Sequence, residues 1–324
     1  MKEISMKIIE GFQIGHCEDV HAATGCTVVM FPEGAVTGVD VRGGAPGTRE
    51  TDLLNPVNLV EKAHAVILAG GSAFGLDAAG GVMKYLEENG FGFDVKVARV
   101  PIVSSAVLFD LPVGSAEIRP DAEMGYNACI DAKKVNLMTG SVGAGTGATV
   151  GKLKGYDRAM KGGVGYCTIE VGELKVSALM VVNAMGDVVN PETGKIMAGL
   201  RSEDGKACVG TEAIMIKDGT QGKVSFSGNT TIGVVMTNAD LNKNQATKIA
   251  SMAQDGLARV IRPSHTMVDG DTIFAMSSNK VEADINLVGL LGMQAVEKAI
   301  MNGIVHSEAL AGIPGYSDIA GGLL

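Results

Sequence analysis

The chain has 324 residues, of which 46% are hydrophobic and 4% aromatic with no tryptophan, and its formal net charge is −9. A core must therefore rest on Val, Ile, Leu, Ala and Met, and a chain of this length can bury a substantial one. The acidic balance, without any Lys/Arg cluster interleaved with aromatics, argues against a nucleic-acid partner. The opening residues Met1 to Lys7 carry no signal-peptide run, and no stretch approaches the ~18–20 apolar residues of a membrane span. Cys17, Cys26, Cys129, Cys167 and Cys208 are odd in number and contain no CxxC pair. They read as free thiols of a soluble cytoplasmic protein, with neither a disulfide framework nor a zinc site.

In chain order, 26–31 and 35–41 read as strands around Pro32-Glu33-Gly34, a hairpin turn. The apolar run 65–69 is a buried strand leading into Gly70-Gly71-Ser72. The helix predicted next spans 75–89, with Leu76, Ala79, Met83 and Leu86 on one face and Gly90 as its stop. A strand at 175–183 ends in Asn183, and 204–227 is the best loop of the chain, polar and glycine-rich. It runs into Gly228-Asn229-Thr230-Thr231 and the apolar strand that follows. A helix at 243–261 is next, with Asn238 and Asp240 available as caps and Pro263 as its end. Asp269-Gly270-Asp271-Thr272 precedes a second apolar strand, and a last helix at 287–302 gives way to a Gly-rich tail. Strands and helices alternate irregularly, without repeats or linkers. That pattern predicts one α/β domain over 1–324, with mixed sheets covered by helices.

The chemistry concentrates at two of these points. A Thr hydroxyl at a strand start can attack the carbonyl before it. A cut between Asn229 and Thr230 would free a threonine carrying both a nucleophile and an α-amino group. Such an amine titrates near ~7.7–8.0 and can serve as the base for its own hydroxyl. Thr231 is the rival, since alternation points the two threonines to opposite faces. Asp269 and Asp271, two residues apart, share one face if extended and can orient that group. A Gly143-Ala144-Gly145-Thr146-Gly147-Ala148 run followed by Lys152 matches a dinucleotide fingerprint, so nucleotide binding is an alternative to a backbone-lined pocket wall. Ser72 lacks the Gly two positions on that a nucleophile elbow requires and reads as a tight turn. His16, His21, His64, His265 and His306 show no metal spacing, and His265 reads as a surface or hydrogen-bonded histidine.

These motifs, together with Gly11-Phe12-Gln13-Ile14-Gly15-His16, 24–29 and 69–77, resemble the self-processing aminopeptidase/amidase family. That family includes the L-aminopeptidase/D-amidase/D-esterase, the β-peptidyl aminopeptidases and the nylon-oligomer hydrolases. The resemblance implies a four-layer α/β/β/α sandwich of N-terminal-nucleophile-hydrolase type, cut into 1–229 and 230–324 and assembled as a homotetramer. It implies an amide hydrolase needing no metal or organic cofactor, acting on a small peptide or amide substrate. Thr230 would be the nucleophile, Asp269 and Asp271 its orienting carboxylates, and Asn183 the oxyanion-hole amide, with Lys152 or Lys154 near the reacting carbonyl. The Asp-Gly-Asp element matches the nylon-oligomer branch, whereas the β-peptidyl branch carries Ser-Gly-Glu. Val100-Pro101-Ile102-Val103 is followed here by Ser104-Ser105-Ala106, so an acidic residue that holds the substrate ammonium in the aminopeptidase branch is missing. An endo-acting amidase is thus as compatible as a strict aminopeptidase. Acyl transfer of the ornithine acetyltransferase type is the runner-up, because those enzymes also resemble the chain in self-cleavage before Thr.

Overall fold

The structure, a computed structural model, describes residues 2–219 and 228–320. Along the chain run β1 (Lys2–Ser5), β2 (Gln13–Asp19), β3 (Thr24–Val41), β4 (Lys62–Ala69), α1 (Ala78–Glu88), β5 (Val103–Val107) and α2 (Ala122–Ala132). They are followed by β6 (Val164–Val171), β7 (Leu174–Asn183), α3 (Thr211–Asp218), β8 (Thr230–Ala239), α4 (Lys243–Val260), β9 (Thr272–Val281) and α5 (Ile285–Val305). Hydrogen bonding orders the strands β1-β6-β7-β8-β9-β3-β4-β5, with β2 on the first half of β3.

The hinge of this arrangement is β3. Its second half pairs with β9 and its first half with β4, and the register shifts between Met30 and Ala35. One strand therefore belongs to two sheets. The expected hairpin turn at Pro32-Glu33-Gly34 is this bend, not a reversal. A proline has no N–H for the ladder and is tolerated where pairing is interrupted by an irregularity.

Strand alternation then sorts side chains into layers. Leu179 and Val181 of β7, Ile232, Val234 and Met236 of β8, and Phe274 and Met276 of β9 meet Ile14, Val29, Val66 and Leu68 between the two sheets. The opposite faces, with Ala178, Met180 and Val182 of β7 and Val235 of β8, pack on Ile249, Leu257, Val296 and Ile300 of α4 and α5. Ala65, Ile67 and Ala69 of β4 pack on α1 and α2 through Ala79, Val82, Leu86 and Ala128. The result is the four-layer α/β/β/α sandwich.

Most predicted elements recur with shifted ends. The 75–89 helix begins as a 3₁₀ turn, Ser72–Asp77, before becoming α1. The cap of α4 is Asn242, whose side chain accepts from the Gln245 N–H in a reciprocal capping box. Asn238 is engaged elsewhere, accepting from the Lys175 N–H at 2.8 Å. The long loop expected at 204–227 contains α3, and its positions 220–227 lie outside the described residues.

Candidate active site

Topology brings the site together. β8 and β9 run parallel, joined through α4, with Ile232 level with Thr272. Their beginnings therefore lie side by side, which puts Thr230 beside 269–271. β7 runs antiparallel to β8 and ends where β8 starts, so Asn183 is the direct cross-strand neighbour of Thr230. Three of the sequence candidates, 183, 230 and 269–271, converge for this reason alone.

Asn229 is stitched to the 268–270 segment from both sides. Its N–H donates to the Val268 carbonyl at 3.1 Å, and its own carbonyl accepts the Gly270 N–H at 2.9 Å. The Thr230 hydroxyl donates to that same Asn229 carbonyl. Gly270 is confined to glycine by crowding: a Cβ there would lie 2.8 Å from both Thr230 Oγ1 and the Ala45 carbonyl. Gly228, at φ +52°, is similarly held, because a Cβ would fall 2.2 Å from the Phe109 ring. The rival hydroxyl, Thr231 Oγ1, is buried with no hydrogen-bond partner among the described residues.

The two carboxylates are both buried and differently held. Asp269 Oδ2 accepts from the Thr266 amide at 2.9 Å and from the Thr266 hydroxyl. Asp271 Oδ1 accepts from the Thr231 amide at 2.7 Å, and Oδ2 from the His265 amide at 3.0 Å and ring Nδ1 at 2.9 Å. Burial and the neighbouring Asp271 charge push the Asp269 carboxyl above the usual range, against the pull of the Thr266 hydrogen bonds.

Lys152 is fully buried and donates to the Thr149 carbonyl at 3.1 Å, the Asn183 carbonyl at 2.9 Å and Asn183 Oδ1 at 2.7 Å. Burial lowers its ammonium well below the ordinary lysine range, opposed by the charges of Asp269 and Asp110. Asn183 Oδ1, also accepting the Thr149 N–H at 3.0 Å, is thereby fixed as the acceptor end of the amide. Asn183 Nδ2 gives one hydrogen to the Phe109 carbonyl at 3.1 Å and retains a second. Lys154 lies elsewhere, paired with Asp218 at 2.6 Å.

A cavity of about 140 Å³ opens beside Thr230, lined by Ala45, Pro46, Gly47, Ser72, Ala73, Val107, Leu108, Phe109, Gly228, Asn229, Thr230 and Val268. Ser72 thus faces the site as part of its wall, at φ +55°. Behind that wall Asp110 accepts from the Gly71 N–H at 2.6 Å and the Thr24 hydroxyl at 2.8 Å. Lys161, held down to about 7 by burial, donates to the carbonyls of Thr146 and Ala148 at 2.6 and 2.9 Å. Sequence reasoning missed Phe109, Asp110 and Lys161, whose partners are remote in sequence or are backbone atoms; of the two readings of His265, surface or hydrogen-bonded, the structure shows the second.

The Gly143 loop does not bind as a nucleotide cradle would. Positions 143–148 are buried, and the Gly143 and Ala144 amides are taken by Glu18 and Thr27. No N–H of that pair is left to face a phosphate. The loop is also not part of the cavity lining described above; it carries the chain to Thr149 and Lys152. Among the described residues no cluster of His, Cys, Asp and Glu could hold a metal ion, and no helix is long and apolar enough to cross a membrane.

Known proteins resemble this chain in sequence and in fold. An uncharacterized aminopeptidase of Mycobacterium tuberculosis is 41% identical, over 97% of both chains. A 6-aminohexanoate-oligomer endohydrolase of Paenarthrobacter ureafaciens is 32% identical, over 93% of this chain and 82% of its own. Among solved structures, the L-aminopeptidase D-Ala-esterase/amidase of Ochrobactrum anthropi, described as a variant of the Ntn hydrolase fold, superposes with a TM-score of 0.68. It is 16% identical, over 94% of this chain and 87% of that one, and so shares the fold. The model of peptidase family S58 matches residues 7–317, and the chain belongs to that family as a hydrolase of peptide or amide bonds.

Proposed function

We propose that the chain cuts its own backbone between Asn229 and Thr230, and that the freed Thr230 is the nucleophile of amide hydrolysis. The observation that carries this reading is the meeting of two donors on one carbonyl: the Thr230 hydroxyl and the Gly270 N–H, both on Asn229 O. The attacking atom lies against its target, and a fixed dipole is aimed at the oxygen where charge would develop. In maturation Thr230 Oγ1 bonds to the Asn229 carbonyl carbon, the C–N bond breaks, and the hydroxyl proton ends on the released amine. Water then hydrolyses the ester, leaving pieces 1–229 and 230–324.

In turnover the new α-amine accepts the Thr230 hydroxyl proton as Oγ1 attacks a substrate amide. Asp269 and Asp271 orient the chain end, and the second Asn183 Nδ2 hydrogen stabilises the oxyanion. Lys152 acts by fixing the Asn183 amide. The leaving amine takes the proton back, and water releases the acyl group. Substrates are short peptides or peptide-like oligoamides. The described cavity wall carries no ionisable side chain to anchor a terminal charge, which supports cleavage within an oligomer as well as at its end. We infer a cytoplasmic homotetramer of cut protomers, the five cysteines all being free thiols in support of a reducing compartment. Acyl transfer is not favoured, since the named relatives are aminopeptidases and endohydrolases.

The test is intact mass with a denaturing gel on wild type and Thr230→Ala. Wild type should separate into 1–229 and 230–324, and the variant should remain whole and inactive. A wild type that stays at its full 33.3 kDa while hydrolysing amides normally would refute the reading.

A further inference from the structure

Asp271 is the one carboxylate bound to the backbone directly after the nucleophile, and its hold on that backbone is itself controlled by a third residue. We propose that His265 is a positioning residue for the reaction, acting through Asp271 on Thr231 and hence on Thr230. This rests on the Thr230 reading above and names a part of the machinery which that reading does not require.

The geometry is a relay of fixed contacts. Both the amide and the ring Nδ1 of His265 converge on Asp271 Oδ2, at 3.0 and 2.9 Å, leaving Oδ1 to accept the Thr231 N–H at 2.7 Å. A carboxylate oxygen is an acceptor, so it is matched here by a ring Nδ1 that donates. Two donors on one oxygen stop the carboxylate from rotating and keep Oδ1 aimed at β8. The Asp271 side chain is 3% exposed and that of His265 18%, so water does not substitute readily for the ring.

The backbone supports the same conclusion. His265 sits at φ +54°, in the left-handed region that non-glycine residues rarely occupy. Such a conformation persists where surrounding contacts demand it, and here it brings amide and ring to the same oxygen. A slack Asp271 would release the Thr231 amide, and a displacement near 1 Å at a reacting atom costs about a hundredfold in rate.

Three variants separate backbone from ring. Asn accepts the left-handed conformation and offers Nδ2–H near the position of Nδ1–H, whereas Gly accepts the conformation and offers no donor. His265→Gly should slow self-cleavage and lower kcat by about tenfold or more with little change in KM, and His265→Asn should restore both to within about threefold of wild type. His265→Ala serves the same comparison should the glycine variant fail to fold, alanine already holding a positive φ at Ala23 and Ala311, with thermal melts recorded on all. Equal rates in Gly and wild type, or an Asn variant as slow as Gly, would overturn the proposal. A wild type that never cuts itself would instead sink the Thr230 reading and this proposal with it, whereas a wild type that cuts normally beside an equally fast glycine variant would sink this proposal alone.

Discussion

Acid should weaken this protein through one histidine, and the size of the effect follows from its surroundings. His16 is buried on β2, with ring Nδ1 2.9 Å from the Thr27 hydroxyl, and burial lowers its pKa from 6.5 to about 4. The Thr27 hydroxyl accepts the Ala144 N–H at 3.0 Å, so it is free to donate its own hydrogen to a neutral ring. A base whose folded pKa is depressed contributes stability that is complete above its unfolded value of 6.5. That stability is lost as pH falls from 6.5 through about 4. At 1.36 kcal/mol per pKa unit the full loss is about 3 kcal/mol, of which about 2.5 kcal/mol has gone by pH 4.5. Burial pushes the carboxyls of Asp110, Asp187 and Asp269 upward, and these titrate with the opposite sign. The informative quantity is therefore a difference between two proteins. Urea unfolding of His16→Asn, whose Oδ1 takes the acceptor place of Nδ1, is compared with that of its parent at pH 7.5, 6 and 4.5. Both carry Thr230→Ala, so that a single chain unfolds. The parent should lose about 2.5 kcal/mol more than the variant across this range. Parallel profiles within about 0.5 kcal/mol would show that the ring is charged or solvated, and the argument would fall.

Two further outcomes concern the site. Asn183→Ala should lower kcat by about 10²–10³-fold with a smaller effect on KM, the range found when one oxyanion donor is removed; a change confined to KM would reassign Asn183 to substrate binding. Gly270→Ala should stay uncut by intact mass, because its Cβ would crowd Thr230 Oγ1 and the Ala45 carbonyl at 2.8 Å; normal cleavage in that variant would show that the crowded geometry is not the reactive one.

What the sequence made legible was whatever local periodicity or short motifs encode. The strand after Thr230 and the helix of α4 were readable because their signals lie within a few residues, whereas Asn229-Thr230 and the distant Asp-Gly-Asp were joined with the help of the family resemblance. Lys152 was distinguishable from Lys154 only in three dimensions, where one is enclosed by Asn183 and the other meets Asp218. Pro32-Glu33-Gly34 has turn composition, yet the chain continues through it, because both halves of β3 have partners waiting in different sheets. Local chemistry could not reveal that. The glycine run at 143–148 misled for a related reason: a fingerprint counts glycines, but binding depends on whether their amides are free, and here tertiary contacts consume them. His265 lay close to Asp271 in sequence, but only its left-handed backbone turns amide and ring to the same oxygen.

The fold also explains how the proposed cut, at the buried start of β8, would leave the molecule standing. From Ile232 onward β8 is laddered to β7 on one side and β9 on the other, so the new chain end begins inside a sheet that does not depend on the severed bond. The core on the α4/α5 side mixes Ile169, Val176 and Met180 from before the cut with Val235, Ile249 and Val296 from after it, and the core between the sheets is mixed in the same way. Separating the pieces would expose both, a loss of ~25 cal/mol for every Å² of apolar surface, while the cut removes only a covalent link. What the cut does release is local. Asn229 is held by the Val268 carbonyl and the Gly270 N–H, bonds worth about 1 kcal/mol each. A substrate carbonyl that comes to lie where Asn229 O now lies displaces those and gains the Gly270 dipole in return. Each of those bonds is weak by itself, whereas β8 beyond Thr230 is held by the sheet on both sides. That asymmetry is what a reaction needs if its first substrate is the enzyme's own chain.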